Sequence, residues 1–80
     1  MPVVFRLDGI RFFFFSNEGD PREPVHIHAR TAYGDAKLWL YPNVRVAYSR
    51  GFDQQTLARV TRAAVERKDL IERAWHEHFG

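Results

Sequence analysis

The order of apolar and polar residues divides the chain into two halves with different periods. From Val3 to Ser49 the alternation is that of strands, in which successive side chains point to opposite faces. Asp8-Gly9 lies between "VVFRL" and "IRFFFF". Such a dipeptide between two strand-like runs marks a two-residue hairpin turn, whose central residues both need positive φ. Leu7 is then expected opposite Ile10, with Val3, Phe5, Leu7, Ile10, Phe12 and Phe14 on a core face and Val4, Arg6, Arg11, Phe13 and Phe15 on the other. Half of the "FFFF" run is therefore ordinary core, and the other two rings are expected beneath a loop or against a partner.

That loop is "SNEGDPREP", Ser16 to Pro24, dense in turn formers and expected on the surface as the most mobile part of the chain. Gly34-Asp35 reads as a second tight turn. With Tyr33 opposite Ala36, one face carries Val25, Ile27, Ala29, Thr31, Ala36, Leu38 and Leu40, and the other His26, His28, Arg30, Lys37, Trp39 and Tyr41. Pro42-Asn43 leads into a last short strand, Val44 to Tyr48, with Val44, Val46 and Tyr48 alternating with Arg45 and Ala47.

From Asp53 the period becomes helical. Asp53 is an N-cap candidate, and Leu57, Val60, Thr61 and Ala64 form an apolar stripe that falters at Arg67-Lys68-Asp69 and resumes with Leu70, Ile71, Ala74, Trp75 and Phe79. This predicts one bent helix, or two with Asp69 capping the second. The fold class expected is α+β: an antiparallel sheet of four to five strands over residues 3–48, packed by a C-terminal helix or helix pair over 53–78, with residues 1–80 forming a single domain.

Composition narrows the function. Twelve Lys and Arg against ten Asp and Glu give a net charge of only +2, so the placement of charge matters more than its sum. Residues 25–52 carry Arg30, Lys37, Arg45 and Arg50 against Asp35 alone, making this part more basic than the whole. The absence of cysteine excludes disulfides, thiolate metal sites and cysteine nucleophiles, and suits a cytoplasmic protein. No apolar run has the length of a signal peptide or a membrane span, so a soluble chain without membrane contact is expected.

The chemistry centres on "VHIHAR", where His26 and His28 share a strand face. As a docking face, His26, His28, Arg30, Lys37, Trp39 and Tyr41 combine stackable rings with positive charge, suited to a small acidic protein or single-stranded nucleic acid. As a catalytic pair, the histidines serve as acid and base over a phosphate held by Arg30 and Lys37, the requirement of a metal-independent ribonuclease-like toxin. As metal ligands they need a third group, and neither Glu23 nor His76 or His78, which diverge on a helix, is convincing; no metal and no cofactor are expected. The structural alternative has both histidines bonded to the Ser16–Pro24 loop, with Trp39 and Tyr41 filling a second small core. His76 and His78 suit a solvated last helical turn.

The stretches "GIRFFFFSNEGDPREPVHIHA", "GDAKLWLYP", "GFDQQTL" and "AWHEHF" resemble the small bacterial family known as domain of unknown function 4160. The motifs that carry the resemblance are Asn17, Glu18 and Gly19; Pro24, His26 and His28; and Trp75, His76, Glu77 and Phe79. Val25 stands where the family pattern has a second proline before the first histidine. The resemblance implies a short cytoplasmic protein encoded beside another small protein, sometimes as a toxin–antitoxin component, and supplies no catalytic residues. Together these readings predict a small cytosolic binding module, one half of a two-gene system, that engages a protein or nucleic-acid partner through the His26/His28 face with Asn17 and Glu18 of the loop. The ribonuclease-like toxin using His26 and His28 is the alternative.

Overall fold

The computed structural model of the chain describes residues 2–18 and 21–80. Gly19 and Asp20, part of the expected loop and its Asn-Glu-Gly motif, lie outside the described residues. Strands β1 (Val3–Leu7), β2 (Ile10–Phe13), β3 (His26–Arg30), β4 (Asp35–Trp39) and β5 (Arg45–Arg50) form one antiparallel sheet in chain order. Helices α1 (Gln54–Glu66) and α2 (Lys68–Phe79) cover one face, and a short 3₁₀ turn, Ser16–Glu18, follows β2. The fold is α+β, as the change of period predicts.

The first hairpin forms as its sequence dictates: Asp8 and Gly9 have φ of 52° and 76°, and Leu7 faces Ile10. The outer end of β1 departs from simple alternation. A bulge between Val3 and Phe5 places Val3 opposite Phe13 and Phe5 opposite Phe12, leaving Val4 as the extra residue. Val4 therefore packs against the core, and Val3 is exposed, a correction to its expected core position.

The second turn is also different. Arg30, rather than Tyr33, is the last residue of its strand to pair, opposite Asp35, and residues 31–34 form a four-residue connection closed by Thr31 N–H donating to Gly34 O at 2.9 Å. Because the change of register is even, every side chain keeps its expected face. In β5, pairing of Lys37 with Tyr48 and of Leu38 with Val46 leaves Ala47 bulged, so Tyr48 lies on the face opposite Val46 rather than beside it. Gly34 and Gly51 meet where this connection crosses the end of β5. A Cβ on Gly51, whose φ is +80°, would stand 2.1 Å from Tyr33 O, and one on Gly34 would stand 2.7 Å from Arg50 O.

Asp53 caps α1, its carboxylate accepting from Thr56 N–H at 2.7 Å. The two helices are separated by Arg67 alone, which is the N-cap of α2 without a side-chain bond; Asp69 sits inside the first turn and is not the cap expected of it. Between sheet and helices Phe12, Phe14, Ile27, Leu38, Leu40, Val60, Ile71 and Trp75 are buried, each contributing about 1.5–3 kcal/mol by leaving water. Leu70, expected in the stripe, is exposed. Among the described residues no helix is long and apolar enough to cross a membrane.

Candidate functional site

The face of the sheet turned away from the helices is ordered in rows by strand pairing. One row runs Arg6, Arg11, Arg30, Asp35, Arg50 across all five strands. The next runs Val3, Phe13, His28, Lys37, Tyr48, and a third joins His26, Trp39 and Arg45. Charge thus collects in the first row and rings in the other two.

Where they cross β2 and β3 the ring-rich rows are covered by described residues of the segment between those strands, among them Phe15, Glu18 and Glu23. Phe13 and His26 are fully buried, and His28 is only 5% exposed. Phe13 stacks on His28 at 5.5 Å, and Phe15 meets the edges of both Phe13 and His28. From the 3₁₀ turn Glu18 reaches beneath the surface to this pair. Its Oε2 accepts from His28 Nε2 at 2.6 Å and lies 2.7 Å from His26 Nε2, while its Oε1 accepts from Phe15 N–H at 2.9 Å. His26 Nδ1 donates to Pro24 O at 2.9 Å, since a carbonyl can only accept. His26 Nε2 is left buried without a hydrogen bond, its contact with Glu18 being off the line that one requires.

Electrostatics follow from this packing. Burial opposes the charge of Glu18, but the bonds from His28, the adjacent His26 and the Phe15 N–H together outweigh it and hold the carboxyl below its ordinary value. His28 is shifted downward by burial, assisted by the nearby His26 and Lys37 and only partly offset by Glu18. The pair is thus an ionised carboxylate accepting from a neutral imidazole. Outside it, Lys37 Nζ donates to Glu23 at 3.1 Å, and Arg22 donates to the carbonyls of Phe79 and Gly80 at 2.6 and 3.1 Å.

The residues expected to form one docking face are therefore divided. His26, His28 and Glu18 are gathered in a buried cluster, so the imidazoles support the covering segment instead of presenting themselves to a partner. Trp39 is half-buried, edge-on to His26 at 5.5 Å with Lys37 Nζ 4.3 Å above its ring. Tyr41 turns to α2, where Glu72 accepts from its hydroxyl and Lys68 Nζ lies 4.2 Å from its ring. Asn17 is exposed on the 3₁₀ turn. Arg30 lies over the rings of Phe13 and Phe15 at 5.2 and 5.8 Å, leaving its charge at the open end of the face.

Two parts of the site escape the linear pattern. Arg6, Arg11 and Arg50 complete the charged row with Arg30; the pairing of Leu7 with Ile10 already implies that Arg6 faces Arg11, and this was the available signal. Glu18 is the third group beside the two histidines, brought there by the 3₁₀ turn. The expectation of no metal rested on the lack of such a group. His76 and His78 are exposed near the end of α2 and are not part of the cluster.

Residues 9–76 match the family described as domain of unknown function (DUF4160), and the chain belongs to it. No curated protein and no solved structure matches the chain.

Proposed function

We propose that the protein is a non-enzymatic binding module, one half of a cytoplasmic two-protein pair of the toxin–antitoxin type, which docks an acidic partner protein on the open part of the sheet's outer face. The observation that carries this reading is the row of Arg6, Arg11, Arg30 and Arg50, in which Asp35 is the one acidic residue. Arg50 pairs with Asp35 at 3.1 Å, but Arg6, Arg11 and Arg30 are like charges placed directly across strands, an arrangement that destabilises a sheet and whose cost within the free chain an anionic partner removes. At a strand spacing of about 4.8 Å the row extends for roughly 19 Å, the scale of a peptide segment lying across the strands. Arg11 and Arg30 are held over the Phe13 ring at 5.3 and 5.2 Å, which fixes their direction before a partner arrives. The His26/His28 cluster beneath the covering segment supports this surface from the side. Burial of both imidazoles gives the ribonuclease reading less support, because an acid and a base must reach their substrate.

Calorimetry with the product of the adjacent gene tests this. Binding is expected to weaken with salt, because exposed charges are screened over about 10 Å at 0.1 M, and to fall at least about tenfold in Arg6→Gln/Arg30→Gln with the fold intact. Salt-dependent binding of single-stranded RNA in place of the protein reassigns the partner class. RNA cleavage abolished by His28→Asn would replace the module with an enzyme.

A further inference from the structure

We propose that Glu18, His26 and His28 form a site for a divalent transition-metal ion of the zinc type, bound through Glu18 Oε2, His26 Nε2 and His28 Nε2. Two imidazoles and one carboxylate suit such an ion and not magnesium or calcium, which take oxygen ligands. The three ligand atoms lie within 4.8 Å of one another, and Oε2 stands 2.6 and 2.7 Å from the two nitrogens. Ligands at about 2.0–2.1 Å from a tetrahedral ion are about 3.3 Å apart, so binding needs an opening of roughly 0.6 Å. Glu18, carried by a short 3₁₀ turn at the edge of the covering segment, is the residue placed to give it.

Two features distinguish this cluster from an ordinary buried hydrogen-bonded group. The first is its outer shell. Glu18 Oε1 is occupied by Phe15 N–H, and His26 Nδ1 by Pro24 O, so each of these ligands is oriented from behind with its remaining atom turned toward the others. The second is the His26 nitrogen that faces the carboxylate. With Nδ1 engaged by Pro24 O, His26 turns Nε2 toward Glu18, and this atom is buried, without a hydrogen bond, 2.7 Å from a carboxylate oxygen. Two acceptors at that distance need a cation between them, a proton or a metal ion, and a metal ion also takes the His28 Nε2 lone pair once that imidazole carries its proton on Nδ1 instead. Bound there, the ion clasps the segment after β2 to the start of β3. Among the described residues no fourth histidine or carboxylate joins the cluster.

The experiment is titration of the chelator-treated full chain with zinc chloride by calorimetry, followed by cobalt(II) substitution read by visible absorption. The expected result is one ion per chain with a dissociation constant below about 1 μM, tetrahedral cobalt bands, and affinity reduced about 100-fold or more in Glu18→Gln and in His28→Asn. Glu18→Gln is nearly isosteric, and circular dichroism of each variant separates lost ligation from lost folding. His76→Gln/His78→Gln is expected to leave affinity unchanged. Failure of zinc to bind the folded wild-type chain at about 100 μM overturns the proposal. So does binding that survives in folded Glu18→Gln, or that disappears in His76→Gln/His78→Gln.

Discussion

Arg6 and Arg11 face each other across β1 and β2, two like charges at directly paired positions. Arg6 is exposed and makes no ring contact, whereas Arg11 also lies over Phe13. Neutralising Arg6 therefore relieves repulsion at no packing cost, and Arg6→Gln is expected to raise stability by about 0.2–1 kcal/mol while weakening partner binding. Arg11→Gln forfeits about 0.5–1 kcal/mol of cation–π attraction and is expected to show no such gain. Urea unfolding of both variants checks the difference.

The cluster beneath the covering segment predicts an acid-sensitive fold in the metal-free chain. His28 is shifted down in the folded state, so on acidification through about 6.5 the unfolded chain takes up a proton that the folded chain refuses, and stability falls. Glu18, also shifted down, adds a loss of the same sign below about 4.3. The groups facing them are His26, Lys37 and Glu23. Urea midpoints followed from pH 8 to pH 5, a window of about three units around the imidazole range, are expected to decline in the wild type and to decline less in His28→Asn. A flat wild-type profile would refute this.

Glycine substitutions are expected to rank by what surrounds them. Gly9 and Gly51 both have positive φ, but a Cβ on Gly9 meets nothing within 4 Å, whereas one on Gly51 meets Tyr33 O. Gly9→Ala is expected to cost about 1–2 kcal/mol from backbone strain alone, and Gly51→Ala more than about 3 kcal/mol. Thermal unfolding of the two variants side by side provides the comparison.

The helix starts provide a fourth test. Asp53 bonds Thr56 N–H and Asp69 makes no cap, so Asp53→Ala is expected to cost about 1 kcal/mol and Asp69→Ala less than about 0.5 kcal/mol. Equal losses at the two positions would show that the acidic charge, rather than the cap bond, is what stabilises these ends.

Much of the fold was legible because face assignment depends only on parity. The second hairpin pairs Arg30 with Asp35 rather than Tyr33 with Ala36, yet Ile27 and Leu38 stay on the core face and His26 and His28 on the other. Bulges are invisible to the same reasoning, since one extra residue leaves the composition of a strand unchanged. That is why simple alternation puts Val3 on the core face and Tyr48 beside Val46, where the bulged strands do not. Glu18 stood in a recognised motif, but its approach to His28 depends on how a ten-residue separation folds back, which periodicity does not encode. The charged row was within reach for the first two strands, and its continuation through Asp35 to Arg50 required the actual register.

Both bulges lie on the strands that border the sheet, β1 and β5. An added strand, whether from another copy of the chain or from an amyloid-like stack, would run into a break in the ladder near Val4 or Ala47 and lose its regular hydrogen bonds. A chain with apolar groups as exposed as Val46 and Tyr48 on one border is thereby protected from growing sideways into polymers. Removing the extra residue, by deletion of Ala47, would straighten that border and open it to self-association.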